Sequence, residues 1–303
     1  PKKLSINPFE PVWLDLESSP NIVSHIDRIK SAFAAAFPME DILPVLMEDL
    51  IYSIYQNDST KWLGKDVVPV FNKTLPPTLN SMSMNVDKVI AHRTYEQRVQ
   101  MNMAACLHTR IDDLKRGWRG ELLNNLHSTD WKEVFDKPCI INLSAVGDEV
   151  DKAFIMSIIL MFLYEYRTAK SDFFGHDMNS DVCEHLTIIE EAHRVMQRCD
   201  DMKNPIYKSS LFLSNMLSEI RAYGEGMVLV DQVPTRLISD AIKNTNLKIL
   251  HRLVSKDDIS VMSDAMGLNE EQQKLVSKLR VGQCIVSSSV NTDAYWLHVN
   301  KVK

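Results

Sequence analysis

His185-Leu186-Thr187-Ile188-Ile189-Glu190-Glu191-Ala192-His193-Arg194 is the stretch on which the reading of this chain turns. A short apolar run with three β-branched residues is expected to form a strand buried on both faces, and it ends abruptly in two adjacent acids. An acid at a strand end can meet the shell of a Mg²⁺ ion, and its neighbour can orient or deprotonate an attacking water; this is the arrangement called Walker B. Two plainer readings stand beside it. One takes the acids as a solvated strand-to-helix turn and no more; the other notes that Glu190-x-x-His193 has the spacing of di-iron bundle proteins. The latter needs a second Glu-x-x-His, and the sequence has none. His193 is then expected to serve in hydrogen bonding behind the acids or in packing.

Outward from this stretch, residues 138–303 alternate short apolar runs with helical patterns. The runs are Cys139 to Leu143, Leu186 to Ile189, Met227 to Val230, Leu247 to Val254 and Cys284 to Ser287, with helices expected near 149–169, 207–222, 234–243 and 257–278. Such alternation implies βαβ units and a mostly parallel sheet, an α/β class. Ala294 to Val299 reads as an antiparallel edge strand after a turn. Between the second and third runs lies Glu219-Ile220-Arg221-Ala222-Tyr223-Gly224-Glu225-Gly226, then Met227-Val228-Leu229-Val230-Asp231-Gln232-Val233-Pro234. A helix stops at glycine, a strand follows, and Gln232 stands at its C-terminal end, where open α/β sheets place ligand contacts. If the two strands are neighbours, Gln232 lies beside Glu190 and Glu191. There a neutral amide can sense a terminal phosphate or align water. Arg221 taken alone reads equally well as a surface helix arginine.

Residues 21–126 differ in texture. Apolar side chains recur at three- and four-residue spacing in Ile22, Ile26, Ile29, Phe33 and Phe37, and again in Ile42, Leu46, Leu50 and Ile54, predicting two core-facing helices with Pro38 and Pro44 near their break. Residues 57–85, with Pro76-Pro77, predict a long irregular excursion, and Val86 to Lys115 a third helix that stops near Gly117 and Gly120. The chain therefore divides into a leading segment 1–20, a helical subdomain 21–137 and a core 138–303.

Composition narrows the class further. The 303 residues, 45% hydrophobic, suffice for a large core. Five scattered cysteines without a C-x-x-C pair predict neither a disulfide framework nor a zinc site and suit a reducing cytosol, hence a cytoplasmic protein. No apolar run is long enough to span a membrane. The net charge of −6 argues against a broad basic nucleic-acid surface, while leaving room for a ring that grips DNA through a few pore residues. The start at Pro1, without a hydrophobic signal core, reads as the interior of a longer chain.

Taken together, Ile6-Asn7-Pro8-Phe9-Glu10, the IIEEAHR run at 188–194, EIRAYGEGMVLVDQVP at 219–234, Lys248 to Leu253 and Leu279-Arg280-Val281-Gly282-Gln283 resemble, in kind and order, the HerA-like branch of the HerA/FtsK superfamily of P-loop ATPases. The resemblance runs over nearly the whole chain and is strongest at the EEAH and RAYGEG...Q stretches; residues 21–126 match mainly in layout. It implies a RecA-like P-loop NTPase fold, a parallel sheet flanked by helices with a helical insertion in its N-terminal part. It also implies an ATP- and Mg²⁺-dependent helicase or translocase that assembles as a homo-hexamer and moves double-stranded DNA beside a nuclease or another effector protein. Carried over residue by residue, Glu190 would hold the Mg²⁺ shell, Glu191 would be the catalytic base, Gln232 the sensor, and Arg221 the arginine that reaches the nucleotide of the adjacent subunit. Arg252 is a second nucleotide contact or, equally, a salt-bridge partner within the domain.

One departure stands out: G-x-x-x-x-G-K-[ST] is missing. Gly64-Lys65 is followed by Asp66, and Ser59 stands where the first glycine belongs. Without that loop the backbone amides, lysine and hydroxyl that hold phosphate and Mg²⁺ are lost. The resemblance places the loop upstream of Asn7-Pro8-Phe9-Glu10, so truncation is the expected explanation. The chain is then the catalytic C-terminal part of the motor and inactive by itself; a loop-less ring subunit or docking module for an effector is the alternative.

Overall fold

The computed structural model of the chain describes residues 3–14, 20–36, 42–56, 69–174, 183–202 and 204–301. Ser59, Gly64, Lys65 and Asp66, the imperfect loop pattern, lie outside them, as do Phe37 and Pro38. The chain divides into two compact units: residues 1–185 with 220–225, and residues 186–219 with 226–303.

The first unit is helical. It contains α1 (Ile22–Ala36), α2 (Leu43–Ser53), α3 (Leu79–Ala91), α4 (Gln97–Leu114), α5 (Gly117–Leu123), α6 (Trp131–Phe135) and the long α7 (Glu149–Phe174). The three- and four-residue spacing does what it predicts: Ile26, Ile29 and Phe33 of α1 and Leu46 and Leu50 of α2 are almost fully buried. Of the expected excursion, residues 57–68 lie outside the described residues, and Thr78 caps α3 through a reciprocal box with Ser81 and starts a helix before Val86. The single helix expected over 86–115 is two, since the chain turns between Ala91 and Gln97.

Asn7 of the leading segment is fully buried and acts as a three-way tie. Its amide nitrogen donates to the carbonyls of Pro77 and Leu126, both at 2.9 Å, and its oxygen accepts from Phe9 N at 3.0 Å. The Tyr55 hydroxyl donates to the Phe9 carbonyl at 2.6 Å. Beneath the segment, Glu165 of α7 is buried with His25 at 2.7 Å, Arg28 at 3.1 Å and the Val12 amide at 3.2 Å. Burial alone would push the Glu165 carboxyl up, but His25, Arg28 and the Val12 amide together hold it below the usual carboxylate range. A second buried cluster joins Arg167 of α7 to Glu225, 2.7 Å apart with side chains 2% and 0% exposed, and His185 lies 2.9 Å from the same carboxylate.

The second unit holds α8 (Pro205–Glu219), α9 (Ser239–Asn244), α10 (Lys256–Met266), α11 (Glu270–Val276) and most of the strands. β1 (His185–Glu190) pairs with β2 (Glu225–Val230). Their first residues approach each other, His185 to Glu225, and so do the residues just past their ends, Glu191 and Gln232. The pair is therefore parallel, with α8 in the crossover, and is the βαβ unit expected from the sequence. β3 (Leu247–Leu250), β4 (Gln283–Ser288) and β5 (Asn291–His298) make a separate antiparallel sheet in that order, so among the described residues the parallel pairing is that of β1 and β2. β5 is an edge strand, as expected. The helix expected over 257–278 is split at Gly267, whose φ of 65° closes α10. Leu250, Ile259, Met266, Val276, Leu279 and Ile285 form the core of this sheet and its two helices.

Cys139 to Leu143, expected as a strand, has no ladder partner among the described residues, and Ile140 is 94% exposed. A strand exists only where another supplies its hydrogen bonds. Leu186 and Ile188 of β1, with Val228 and Val230 of β2, are also exposed, at alternate positions that put each pair on one face of its strand.

Candidate functional site

The site is assembled at the C-terminal ends of β1 and β2, where a parallel pair presents its loops. Ile189 is buried and ends the apolar run, and Glu190 is the exposed last residue of β1. Glu191 follows with φ 54° and ψ 47°, the left-handed conformation; among the described residues it alone adopts positive φ without being glycine. A non-glycine residue there costs about 1–3 kcal/mol and persists only where its surroundings over-determine it. They do so here. Ala192 is fully buried, the Arg194 amide donates to the Glu191 carbonyl at 2.9 Å, and a 3₁₀ turn runs from Ala192 to Arg194.

The end of β2 supplies the other half. Asp231 is nearly buried, its side chain 4% exposed, and accepts from the Val233 amide at 2.9 Å through Oδ1 and from the His193 amide at 2.8 Å through Oδ2. Oδ2 also lies 2.8 Å from His193 Nδ1. Gln232, exposed, directs Nε2 to Glu191 Oε1 at 3.3 Å. His193 Nδ1 is 3.7 Å from Glu191 Oε2. Beyond these residues the two chain segments are laced together: Arg198 N donates to the Arg236 carbonyl, Ile238 N to the Met196 carbonyl, and Gln197 bridges Leu237.

The structure thus brings Glu191 and Gln232 into contact and sets Glu190 next to them. Arg221 is exposed in the 3₁₀ turn Ile220–Tyr223 and belongs to the first unit. That turn is anchored by fully buried Ile220 and by Tyr223, whose ring meets Tyr164 edge-on at 6.0 Å. It ends at Gly224, where φ is 75° and a Cβ would lie 3.1 Å from Glu184 Cγ. Arg252 is exposed just past β3 and forms no ion pair among the described residues. His193 takes the supporting role expected for it. Asp231 escaped the sequence reading; an acid directly before the strand-end glutamine was its signal.

No group of three or more His, Cys, Asp or Glu side chains able to hold a metal is present among the described residues. Mg²⁺ does not require one, since it is commonly held by one or two carboxylates together with waters and substrate phosphates. The exposed Glu190 carboxylate at a strand end fits that donor set. No helix among the described residues is long and apolar enough to cross a membrane.

No family model matches the chain. Over 102 residues it is 31% identical to the probable DNA double-strand break repair helicase HerA of Methanocaldococcus jannaschii, a match that covers 33% of this chain and 19% of that protein. The aligned stretch thus spans about a fifth of the relative's length. Among solved structures, VirB4 of Thermoanaerobacter pseudethanolicus superposes with a TM-score of 0.68 at 16% identity, covering 98% of this chain and 74% of that one. A partial likeness, TM-score 0.35 over 48% of this chain and 62% of the other, is to the genome packaging NTPase B204 from Sulfolobus turreted icosahedral virus 2 in complex with AMPPCP.

Proposed function

We propose that this chain, which shares its fold with VirB4 and 31% identity over 102 residues with a HerA helicase, is of the HerA/FtsK type of P-loop ATPases and forms the Walker-B half of an ATP-driven DNA translocase. The observation that carries the reading is the contact between Glu191 and Gln232 across the ends of two parallel strands. In this reading residues 138–303 are the ATPase core, and 21–137 form a helical subdomain led into by residues 1–20.

Each residue then has a role that its position suits. Glu190, exposed at the end of β1, would hold the Mg²⁺ that accompanies ATP, and that cation would supply the electrostatic stabilisation of the phosphates. Glu191 accepts the proton of the attacking water, and its left-handed backbone sets the direction of its carboxylate independently of the strand. Gln232 holds the Glu191 carboxylate by one oxygen and offers its amide to the same water or to the terminal phosphate. Arg221, exposed on an anchored turn, reaches the nucleotide of a neighbouring subunit in a homo-hexamer, and Arg252 is a further nucleotide contact. Double-stranded DNA is the proposed track, a nuclease or other effector the proposed companion, and the cytoplasm the proposed compartment.

Hydrolysis needs a phosphate-binding loop, which these 303 residues do not contain. The proposal therefore concerns the motor in which that loop is present. The test is phosphate release by the loop-containing protein with ATP, Mg²⁺ and duplex DNA: DNA-stimulated turnover abolished by Glu191→Gln is expected, and undiminished turnover in that variant would sink the assignment. The missing loop also favours a second reading, a ring subunit that never turns over nucleotide. It predicts an oligomeric mass by light scattering that ATP leaves unchanged; ATP-dependent assembly would count against it.

A further inference from the structure

One nearly buried charge at the same strand ends has no part in the scheme above. Asp231 follows the last residue of β2, its side chain is 4% exposed, and its two oxygens meet three donors: the Val233 amide, the His193 amide and the His193 ring nitrogen Nδ1. All three belong to the turns that carry the proposed site residues. His193 lies two residues after Glu191, and Val233 one after Gln232.

We infer that Asp231 is a positioning residue for the Glu191–Gln232 pair, acting through His193. The inference rests on the proposed role of Glu191 in nucleotide hydrolysis, but its geometry can be read without it. The bond from Asp231 Oδ2 to the His193 amide fixes the backbone of the turn that holds Glu191 in its left-handed conformation. The bond from Oδ1 to the Val233 amide fixes the turn after Gln232, so a single carboxylate sets the spacing of both site residues. The acceptor at Nδ1 also selects the imidazole tautomer with its proton on Nδ1 and its lone pair on Nε2. The same Nδ1 is 2.8 Å from Asp231 Oδ2 and 3.7 Å from Glu191 Oε2, so the ring held by Asp231 lies against the Glu191 carboxylate. An amide cannot replace the acid, because it has one acceptor oxygen for donors that approach two. Asp231→Asn leaves at least one backbone N–H without an acceptor, or facing an NH₂ group.

Two readouts test this separately. In the chain as it stands, ¹⁵N-histidine NMR, with His193 assigned by its loss in His193→Gln, is expected to show His193 protonated on Nδ1. Asp231→Ala is expected to move the proton of the neutral ring to Nε2. A neutral ring already protonated on Nε2 in the unaltered chain overturns the inference. In the loop-containing protein, Asp231→Asn and His193→Gln are each expected to lower kcat for ATP roughly 10–100-fold, the range seen when an outer partner of a site ligand is removed, with KM for ATP within about twofold. Asp231→Glu should recover part of the loss. An unchanged kcat in both variants overturns the positioning role. Absence of turnover in the unaltered loop-containing protein would remove the hydrolase reading, while the tautomer still decides the geometry. If Asp231→Asn does not fold by circular dichroism, His193→Gln, which keeps the backbone bond to Asp231, carries the kinetic test.

Discussion

Gln232 Nε2 and Glu191 Oε1 are 3.3 Å apart, so the neutral amide of one strand end holds the charged group of the other. A carboxylate in place of the amide would set two like charges at that distance. In the loop-containing protein, Gln232→Ala is expected to lower kcat roughly 10²–10³-fold, as loss of one preorganised donor does. Gln232→Glu is expected to fall further, and steady-state phosphate release that ranks the two the other way would contradict this electrostatic account.

Glu191 holds a backbone conformation that glycine adopts freely, with φ at 54°. Glu191→Gly should therefore raise stability by about 0.5–1 kcal/mol in chemical denaturation, the strain relieved less the extra freedom given to the unfolded chain. Glu191→Ala keeps the strain and should be neutral or worse. Both should lose hydrolysis, which would make this position an example of stability given up for function. A destabilised glycine variant would show that the left-handed turn carries no strain.

Glu165 gives the first unit an acid-sensitive core. Its folded pKa lies below the ordinary carboxylate value because His25, Arg28 and the Val12 amide outweigh burial. Its contribution to stability is thus complete above the ordinary carboxylate range and is lost as pH falls through the depressed folded value. Glu165→Gln, which leaves His25 and Arg28 without their anion, should cost about 3–5 kcal/mol at neutral pH. It should also flatten the fall in stability below about pH 4. Denaturant midpoints measured across that range would show parallel limbs if the network contributed nothing.

Arg221 is exposed on a turn whose other residues are fixed, Ile220 and Tyr223 by packing and Gly224 by its conformation. In the loop-containing protein, Arg221→Ala should leave the fold and ATP binding by one subunit intact and lower turnover about 10³-fold or more if it acts as an arginine finger. Mixing Arg221→Ala with Glu191→Gln subunits should restore partial activity, because a site shared between neighbours needs each residue from a different subunit. Additive inactivity in the mixture would place both residues in one subunit's site.

The legible part of the fold was the part governed by local rules. The spacing of Ile26, Ile29 and Phe33 found α1, and the apolar run ending in Glu190 and Glu191 found β1 and Glu191, the residue that meets Gln232. What escaped were features set by distant partners. Cys139 to Leu143 has strand composition, yet composition supplies no hydrogen-bond partner, and Ile140 stands in solvent. Strand direction is likewise a property of pairs, so nothing in Leu247–Leu250 announced its antiparallel match to β4. Asp231 was passed over for the same reason: its meaning lies in His193, 38 positions away in the chain. Gly267 was the exception, a local signal inside 257–278 that marks the end of α10.

The bare side chains of Ile140, Leu186, Ile188, Val228 and Val230 set the handling properties of the isolated polypeptide. Hydrocarbon exposed on strand faces is the substrate of holdase chaperones and of amorphous precipitation. Colloidal behaviour should then be governed by concentration and temperature more than by the modest negative charge. Warming should worsen it, because the attraction between such surfaces strengthens from cold to ambient temperature.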